Sequence, residues 1–401
     1  MGTERQENRL RSVWRPIWDD MPARVVFVRS KSPAGMEPRL AKEATSLARA
    51  GYEVHAILWD RTRSFPAREI RDGIWIHRYR LAAPEGTPGL ARRLPRWQWF
   101  VLRKAARLRP DVIHAVDLDT AWASRAAARI TGARLVYDVF DFYADMITAD
   151  VPLKLRERLA AAERRMIERA DLVIVPDLRR QAQFRGARPQ KIVEIMNVPE
   201  DRPLPTKPDP EFTVFYGGMI AKDRGLLDLL AACESTGARL IVAGHGPDEA
   251  ALLPHLESSP ASMFLGTVPY DEVLRRTAAS HVVAALYDPN VPNNRFAAPN
   301  KVFEAMMCAK PVITSDGIAI ADLVRSVGCG VVVPYGDRAA LQRALEQLML
   351  SPAECDRLGA QGRAAFESGY QWKAMEARLV GAYGTLLGPR APAGSGPSSI
   401  G

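Results

Sequence analysis

"RFAAPNKVFEAMMCAKPVIT", residues 295–314, passes from a loop into a short helix and then into a buried strand. The helix is almost wholly apolar, yet Glu304 lies in its middle, and Pro299, Asn300 and Lys301 begin it. Free N–H groups and the helix dipole favour an anion at such a start. The segment therefore predicts one unit of an α/β fold with a site for a negative group at its tip.

Short apolar runs alternate with helical patterns along the rest of the chain, an order typical of parallel α/β architecture. The runs expected to form strands are residues 24–30, 53–59, 74–79, 111–116, 133–139, 171–176 and 191–196, and then 212–218, 238–244, 262–267, 281–286, 310–316 and 330–336. The sequence thus predicts two facing, Rossmann-like, doubly wound parallel sheets. Ligands of such sheets lie beyond the carboxyl ends of the strands.

The expected division of the chain follows from this alternation and from two stretches that lack it. A segment rich in proline and charge indicates a linker, and a low-complexity end indicates disorder. The parts are an N-terminal tail (1–22), a first Rossmann-like domain (23–196), the linker (197–211), a second Rossmann-like domain (212–370), a C-terminal helix crossing back to the first domain (371–388) and a disordered tail (389–401).

The composition is that of a soluble globular protein, with 401 residues, 47% hydrophobic and 25% charged. No apolar run approaches the ~20 residues that span a bilayer, and the N-terminus lacks the apolar core of a signal peptide. We therefore expect a cytoplasmic location. The four cysteines are scattered, so we expect free thiols rather than metal ligands.

The net charge of +9 indicates an anionic partner, and residues 88–110 concentrate basic residues without any acid. Trp97, Trp99 and Phe100 are interleaved with them. Such a helix can lie in the headgroup region of an anionic membrane, here the inner face of the cell membrane. The alternative is a surface helix whose tryptophans face the core. Nucleic acid is not an expected partner, because the cluster is local and no recognised nucleic-acid module is present.

Two glycine turns follow predicted strands of the second half. At the first, Gly217 and Gly218 would let a phosphate approach the backbone, and Lys222 and Arg224 would add charge-assisted contacts. The second contains Gly244 and fits a loop close to a base or ribose as well as one that merely turns. The sequence has neither a GxGxxG fingerprint nor a Walker A loop.

Glu304 shares a helix face with Lys301 and Asn300, which lie three and four positions back. A carboxylate one turn into the helix would suit a ribose diol beside a phosphate at the helix start. The alternative is a Lys301–Glu304 surface pair, against which the apolar neighbours argue.

Acidic and aromatic side chains lie at the ends of two strands of the first half. Asp117 and Asp119 lie at the end of one strand, and Asp138, Asp141 and Tyr143 lie at the end of the next. The spacing of Asp117 and Asp119 is the DxD pattern that holds a divalent metal in one class of sugar transferases. Because that class is built on a single sheet, and this chain predicts two, no metal site is expected.

Together these motifs resemble those of family 4 glycosyltransferases, which have the GT-B fold. The resemblance covers about residues 24–385 and is strongest in the second half. The stretches that carry it are RPDVIHAVDLDT (109–120), ARLVYDVFDFYADM (133–146), ADLVIVPD (170–177), VFYGGMIAKDRGLLDLL (214–230), LIVAGHGPDE (240–249) and PNKVFEAMMCAKPVITSD (299–316).

The resemblance implies that the C-terminal domain binds a nucleoside-diphosphate sugar and that the N-terminal domain holds the acceptor. It also implies transfer with retention of the anomeric configuration and without a metal or other cofactor. Glu304 matches the ribose-binding glutamate, and Arg224 matches the basic residue that neutralises the leaving diphosphate, with Lys222 as a second candidate. The other expected donor-binding residues are Gly217, Gly218, Gly244, Pro299, Asn300, Lys301 and Val302.

Two positions depart from the family pattern. A second glutamate often lies eight residues before the ribose-binding one, but this position is Phe296. A histidine often lies near the anomeric centre, but Phe140 stands in its place. Front-face transfer, in which the donor phosphate takes the acceptor proton, needs no protein base, and Asp141 is the candidate for orienting the acceptor. The residues expected in the acceptor and sugar pocket are Asp117, Asp138, Phe140, Tyr143 and Phe296.

We therefore expect a glycosyltransferase that uses a hydroxyl acceptor, whether a lipid-linked saccharide, a cell-envelope polysaccharide or a small molecule. Two alternatives stay open. Phe140 and Phe296 also fit a binding or regulatory subunit that kept the fold and lost turnover. A sugar-nucleotide 2-epimerase shares the two-sheet architecture but would need acid and base residues flanking the sugar.

Overall fold

The computed structural model describes residues 22–30, 36–83, 87–147, 151–204 and 207–388. The expected tails, 1–22 and 389–401, lie outside these residues apart from Pro22. The strands are β1 (Arg24–Arg29), β2 (Glu53–Asp60), β3 (Arg68–Arg71), β4 (Ile74–Arg80), β5 (Val112–Val116), β6 (Arg134–Asp138), β7 (Leu172–Val175), β8 (Ile192–Glu194), β9 (Thr213–Gly217), β10 (Arg239–Ala243), β11 (Ser262–Phe264), β12 (Val282–Ala285), β13 (Val312–Ser315) and β14 (Gly330–Val333).

Helices connect most of these strands and cover both faces of the sheets. They are α1 (Pro38–Arg49), α2 (Thr87–Leu108), α3 (Leu118–Thr131), α4 (Tyr143–Met146), α5 (Leu153–Arg169), α6 (Leu226–Thr236), α7 (Glu249–Ser258), α8 (Tyr270–Ala279), α9 (Asn300–Met307), α10 (Ala319–Val327), α11 (Arg338–Leu350), α12 (Pro352–Gly369) and α13 (Trp372–Leu387). None of the helices in the described part of the chain is long and apolar enough to cross a membrane.

The N-terminal sheet has eight strands in the order β3-β4-β2-β1-β5-β6-β7-β8. Its pairs are parallel except that β3 runs antiparallel to β4. The sequence analysis did not predict β3, because its four residues, REIR, are charged apart from one isoleucine and three of them are exposed. A short charged strand of this kind protects a sheet edge from further pairing.

The C-terminal sheet has six parallel strands in the order β11-β10-β9-β12-β13-β14. The strand order reverses between β9 and β12, as it does between β1 and β5 in the first sheet. Doubly wound sheets bind their ligands at the carboxyl ends of the strands at this reversal. The predicted two-sheet GT-B architecture is confirmed.

Burial of the strands explains why they read as continuous apolar runs. All five residues of β5 are buried, as expected for a parallel strand with helices on both faces. Helix α1 begins with Pro38 at its first position and turns Leu40, Ala44 and Leu47 toward the sheet. The residues that α1 buries are therefore the apolar ones that recur at helical spacing in its sequence.

The last helix packs on the first domain. The Trp372 N–H donates to the Pro199 carbonyl (3.0 Å), and the Trp372 indole donates to Ser46 Oγ (2.9 Å). Near the other end of α13, Tyr383 Oη lies 2.7 Å from His114 Nδ1 in β5. Helix α13, which follows the second sheet in the chain, is thereby part of the core of the first domain.

Candidate active site

Two glycine turns meet at the carboxyl ends of β9 and β10. Gly244 has a φ of +140°, and a Cβ on it would lie 1.8 Å from the Gly218 carbonyl oxygen. A Cβ on Gly218 (φ +152°) would lie 2.9 Å from Lys301 Nζ. The Ile220 N–H donates to the His245 carbonyl (3.0 Å), so the Gly244 turn packs against the first turn. Glycine is required here because two backbones and a lysine meet where no side chain fits.

Lys301 is buried in the first turn of α9. Its Nζ lies 3.6 Å from the ring centroid of Tyr216 and 5.7 Å from that of Tyr287. Burial, together with the charge of Arg224 and against that of Glu304, lowers the pKa of Lys301 to about 7. Among the described residues no carboxylate forms an ion pair with it. An incoming anion would stabilise a buried cation held only by ring faces.

Arg224 approaches the same space from the loop after β9. Its Nη1 donates to Asp223 Oδ2 (2.5 Å) and to Asn294 Oδ1 (3.1 Å), and its guanidinium carbon lies 4.5 Å from the Tyr287 ring centroid. Asn294 is itself fixed, because its Nδ2 donates to Asp223 Oδ2 (2.8 Å). Two cations, Arg224 and Lys301, therefore converge on the ring of Tyr287.

Glu304 is buried one turn into α9 and accepts a hydrogen bond from the Tyr270 hydroxyl. Burial raises the pKa of Glu304, against the Tyr270 bond and the charges of Lys42 and Lys301. Since Lys301 and Glu304 are both buried, the alternative that they form an exposed surface pair is wrong.

The start of α9 combines buried apolar residues with one exposed polar side chain. Val302 is fully buried, and its N–H donates to the Pro299 carbonyl (3.2 Å). Pro299 is also buried, whereas Asn300 is exposed. The predicted cradle at this helix start therefore has Asn300 and Lys301 as its polar side chains.

Lys222 lies apart from these cations. Its side chain is 71% exposed, and its Nζ is 3.9 Å from Asp248 Oδ1. Arg224, two residues later, has a side chain that is only 13% exposed. The structure thus brings one of the two predicted basic residues of this loop to Lys301 and leaves the other outside.

On the first domain, Asp117 follows β5 in the left-handed region, with a φ of 60°. Its Oδ1 accepts from the N–H groups of Phe140 (3.0 Å) and Asp141 (3.3 Å), and its Oδ2 accepts from Arg29. Burial, reinforced by Asp141 and Asp119 and opposed by Arg29, raises the pKa of Asp117 to about 7. Asp117 thus holds the loop after β6 in place.

Phe140 stands between two guanidinium groups. The guanidinium carbons of Arg29 and Arg39 lie 4.7 Å and 4.8 Å from its ring centroid. The half-buried Phe140 therefore forms an aromatic wall, which offers no atom that could take a proton.

Asp138 is fully buried, so the structure does not place it on the surface of an acceptor pocket. Arg39 Nη2 donates to its Oδ1 (3.1 Å), and His114 Nε2 lies 3.3 Å from its Oδ2. Against burial, these two partners hold the pKa of Asp138 below its usual value. Burial, followed by Asp138, raises the pKa of the adjacent Glu43 well above its usual range.

Glu43, His114 and Asp138 offer ligand atoms within 4.8 Å of one another, a set that fits a metal ion. Arg39 occupies the same place, with its Nε 3.0 Å from Glu43 Oε1. A guanidinium already supplies the positive charge there. We interpret the group as a buried ion-pair cluster that belongs to the domain core.

Asp141 connects the two domains. Its Oδ1 accepts from Arg180 Nη2 (3.2 Å) and from Asn293 Nδ2 (3.0 Å). Asn293 precedes Asn294, the partner of Arg224. The predicted acceptor-orienting carboxylate and the predicted leaving-group cation are therefore joined through consecutive asparagines.

Tyr143 and Phe296 are both half-buried, on opposite domains. The Tyr143 N–H donates to Glu163 Oε2 (2.8 Å), and the Phe296 N–H donates to the Asn293 carbonyl (3.2 Å). Tyr143 thus lies two residues after Asp141 in the chain, and Phe296 bonds to Asn293, which contacts Asp141.

Sequence reasoning missed several residues of this cleft. Tyr216 and Tyr287 had a usable signal, because each is an aromatic residue at or just beyond the end of an apolar strand. Arg180 and Asn293 had none, since their contact spans 113 residues of chain. Tyr270, the first residue of α8, was not identified as a partner of Glu304 either.

Helix α2 divides the predicted basic, aromatic segment between core and surface. Trp97 is fully buried and stacks on Trp59 with 5.6 Å between centroids, and Phe100 packs on Tyr79 at 4.9 Å. Trp99 is 59% exposed, so the alternative in which the tryptophans face the core holds for Trp97 and not for Trp99.

Two families of known proteins match the chain in succession. Residues 34–197 match "Glycosyl transferase 4-like domain", and residues 211–351 match "Glycosyl transferases group 1". A 2-deoxystreptamine N-acetyl-D-glucosaminyltransferase of Streptomyces fradiae is 26% identical over 354 residues, which cover 77% of this chain and 81% of that protein. A phosphatidyl-myo-inositol mannosyltransferase of Mycobacterium leprae is 28% identical over 154 residues, covering 37% and 38% of the two chains.

Solved structures show the same fold. Sucrose-phosphate synthase from Thermosynechococcus elongatus superposes with a TM-score of 0.75 at 18% identity, covering 91% of this chain and 99% of that one. Anabaena HepE in complex with UDP-glucose gives a TM-score of 0.70 at 16% identity, covering 90% and 99%. These findings favour the transferase hypothesis over the subunit and epimerase alternatives. The chain belongs to the family 4-type glycosyltransferases of the GT-B fold.

Proposed function

We propose that this glycosyltransferase takes its sugar from a nucleoside diphosphate held in the C-terminal domain and passes it to a hydroxyl group held in the N-terminal domain. The observation that carries the proposal is Lys301, a buried cation at a helix start with no acidic partner among the described residues. Arg224 adds a second positive charge beside Tyr287, and Glu304 lies one helical turn deeper, where a ribose would follow a pyrophosphate.

In this proposal, negative charge that develops on the leaving diphosphate faces Arg224 and Lys301. Fixed charges of this kind, aimed at the developing charge, lower the barrier because they need no reorganisation. The two cations would supply the compensation that a divalent metal supplies in other transferases, so we propose transfer without a metal. Phe140 offers no base, so we propose that the donor phosphate takes the acceptor proton on the front face, with retention, while Asp141 orients the acceptor.

Nucleotide binding tests this proposal first. A thermal-shift panel of UDP, GDP, dTDP, ADP and CMP is measured without metal and then with magnesium. A ligand at a hundred times its dissociation constant stabilises by about 2.7 kcal/mol, and one nucleotide should do so without metal. The anomer of the product, read by NMR, tests retention. Absence of a shift with every nucleotide would overturn the donor site and restore the binding-subunit alternative.

We also propose that the exposed face of α2 lies on an anionic membrane surface. Arg92, Arg96, Arg103 and Arg107 are exposed along it, and the Arg103 guanidinium lies 5.7 Å from the ring of Trp99. No acid occurs in residues 88–110 to neutralise these charges. An exposed tryptophan among arginines that form no ion pair in the described part of the chain suits the headgroup region.

Vesicle flotation tests the membrane contact. We expect binding to vesicles that contain phosphatidylglycerol, no binding to pure phosphatidylcholine, and clear weakening by Trp99→Ala. Leu350→Ala is the matched control, because Leu350 is an 85% exposed apolar residue on the other domain. Equal binding to both vesicles, or no binding to either, would contradict the proposal.

A further inference from the structure

The acceptor side of the cleft carries more acid than its arginines neutralise. Arg29 pairs with Glu37 (3.0 Å) and with Asp117, and the charge of Asp119 also reaches it. One guanidinium thus faces three carboxylates. Asp141 adds a fourth carboxylate, which a second arginine contacts.

Asp119 is the member of this group whose bonding is incomplete. It lies in the first turn of α3, at the carboxyl end of β5, and is 7% exposed. Its Oδ2 accepts a hydrogen bond from Ser30 Oγ at the end of β1. Its Oδ1 is buried and has no hydrogen-bond partner among the described residues. A buried carboxylate oxygen of this kind costs free energy unless a donor reaches it.

The helix dipole gives a simpler reason for an acid at this position. A carboxylate in the first turn of α3 is stabilised by the positive end of the helix. The dipole accounts for the charge of Asp119, but it does not supply a donor to Oδ1. The missing donor is therefore a separate observation.

The electrostatics of the neighbouring groups point the same way. Burial raises the pKa of Asp117 to about 7, and Asp141 and Asp119 contribute although Arg29 opposes them. Burial, then Asp119 and Asp117, also raises the pKa of the Tyr143 hydroxyl, while Arg61 opposes. Asp119 thus adds negative charge at both neighbouring groups, and a cation beside it would be stabilised.

We propose that the acceptor carries a protonated amine, which donates to Asp119 beside the hydroxyl that receives the sugar. This inference rests on the proposed function and adds the chemical class of its acceptor. Asp141 contacts Asn293, whose neighbour Asn294 bonds to Arg224, and is left to orient the hydroxyl. An amino sugar or an aminocyclitol has both groups on one ring.

A pair of cyclitols with and without amines tests the acceptor class. Using the nucleotide sugar that the binding panel identifies, transfer to 2-deoxystreptamine is compared with transfer to myo-inositol. We expect kcat/KM to favour the amine by at least about tenfold, since a hydrogen bond to a charged group contributes about 1.5–3 kcal/mol. The preference should fall as the pH rises through the pKa of the acceptor amine.

The variant Asp119→Asn tests whether Asp119 causes the preference for the amine-bearing acceptor. It keeps an acceptor oxygen for Ser30 but removes the charge, so we expect the amine preference to fall about tenfold while the donor dissociation constant stays the same. Asp72→Asn is the control, because Asp72 is an exposed carboxylate of the same domain in a left-handed turn that asparagine also adopts. Its preference should equal that of the wild type.

Each result separates this inference from the proposed function. Equal or better transfer to myo-inositol, or an amine preference that survives in Asp119→Asn, would overturn the amine site and leave the transferase intact. Nucleotide binding with transfer to neither cyclitol would also overturn it, and lipid-linked saccharides would be the next acceptors to test. Failure to bind any nucleotide would remove the proposed function itself.

Discussion

The two halves of the cleft share one sheet topology but use charge differently. In the first domain two buried arginines are paired with acids: Arg39 of α1 with Asp138, and Arg29 of β1 with Asp117. In the second domain Lys301 is equally buried, yet within the described part of the chain its ammonium contacts ring faces and forms no ion pair with a carboxylate. Paired buried charges hold a structure together, whereas an unpaired one raises the free energy until a ligand arrives. Similar burial therefore accompanies internal ion pairs in the first half and, in our proposal, ligand binding in the second.

Substitution of Arg39 gives the largest expected effect and tests the structural half. Arg39→Met leaves Asp138 and Glu43 buried without their guanidinium, so we expect a loss of about 3–5 kcal/mol in the free energy of unfolding. Denaturant unfolding measures this loss. Lys301→Met is the matched variant and should leave stability unchanged or raised, because it removes an unpaired buried charge. An equal loss of unfolding free energy in both variants would contradict the proposed difference between the two domains.

Substitution of Arg224 tests the binding half through catalysis. Arg224→Ala removes a fixed charge from the leaving diphosphate, and we expect kcat to fall by about 10²–10³-fold. Lys222→Ala is the control from the same loop, and its exposed side chain predicts a change of less than about twofold, as for other exposed charges. Steady-state kinetics at saturating donor distinguish the two. A large effect at Lys222 with none at Arg224 would reverse the assignment.

The affinity for the donor should depend on pH through Lys301. The lowered pKa of about 7 means that the lysine is charged below this pH and loses its proton as the pH rises through it. A nucleotide sugar has no phosphate that titrates near neutrality, so its binding should be strongest below pH 7 and weaken above it. Calorimetry from pH 6 to 9 measures this. Lys301→Met should bind the nucleotide sugar at least about tenfold more weakly than the wild type, and its affinity should not change with pH. A wild-type affinity that also does not change with pH would contradict the proposed role of Lys301.

Glu304 gives the smallest of these effects and the most specific one. If it holds the ribose diol, the wild type should bind a 2′-deoxynucleotide about tenfold more weakly than the ribonucleotide, and Glu304→Gln should lose most of that discrimination. Competition between the two nucleotides measures it. Discrimination that survives in Glu304→Gln would place the ribose elsewhere.

Features that depend on neighbouring residues in the chain could be predicted from the sequence. The strand runs, the glycine turn at Gly217 and Gly218, and the burial of Glu304 in α9 all follow from patterns within a few residues. The choice between Lys222 and Arg224 could not be predicted, because it depends on which side of a three-residue turn faces Tyr287.

Contacts between distant parts of the chain were beyond local patterns. Asp138 and Asp141 lie three residues apart at the end of β6, yet Asp138 is buried against Arg39 and His114, while Asn293 of the other domain contacts Asp141. The sequence analysis assigned Asp138 to the acceptor pocket and gave Asp141 the role of orienting the acceptor, because local patterns contain no information about such partners. Strand β3 was missed for a related reason, since its pairing partner, and not its composition, makes it a strand.

The path of α13 limits how this enzyme can be recombined with its relatives. Its residues Trp372 and Tyr383 contact Ser46 and His114 of the first domain, although they follow the second domain in the chain. A chimera joined once, within the linker, would pair one parent's N-terminal domain with the other parent's last helix. Exchange of the C-terminal domain between parents therefore calls for two junctions, one in the linker and one before Trp372, so that each N-terminal domain keeps its own closing helix.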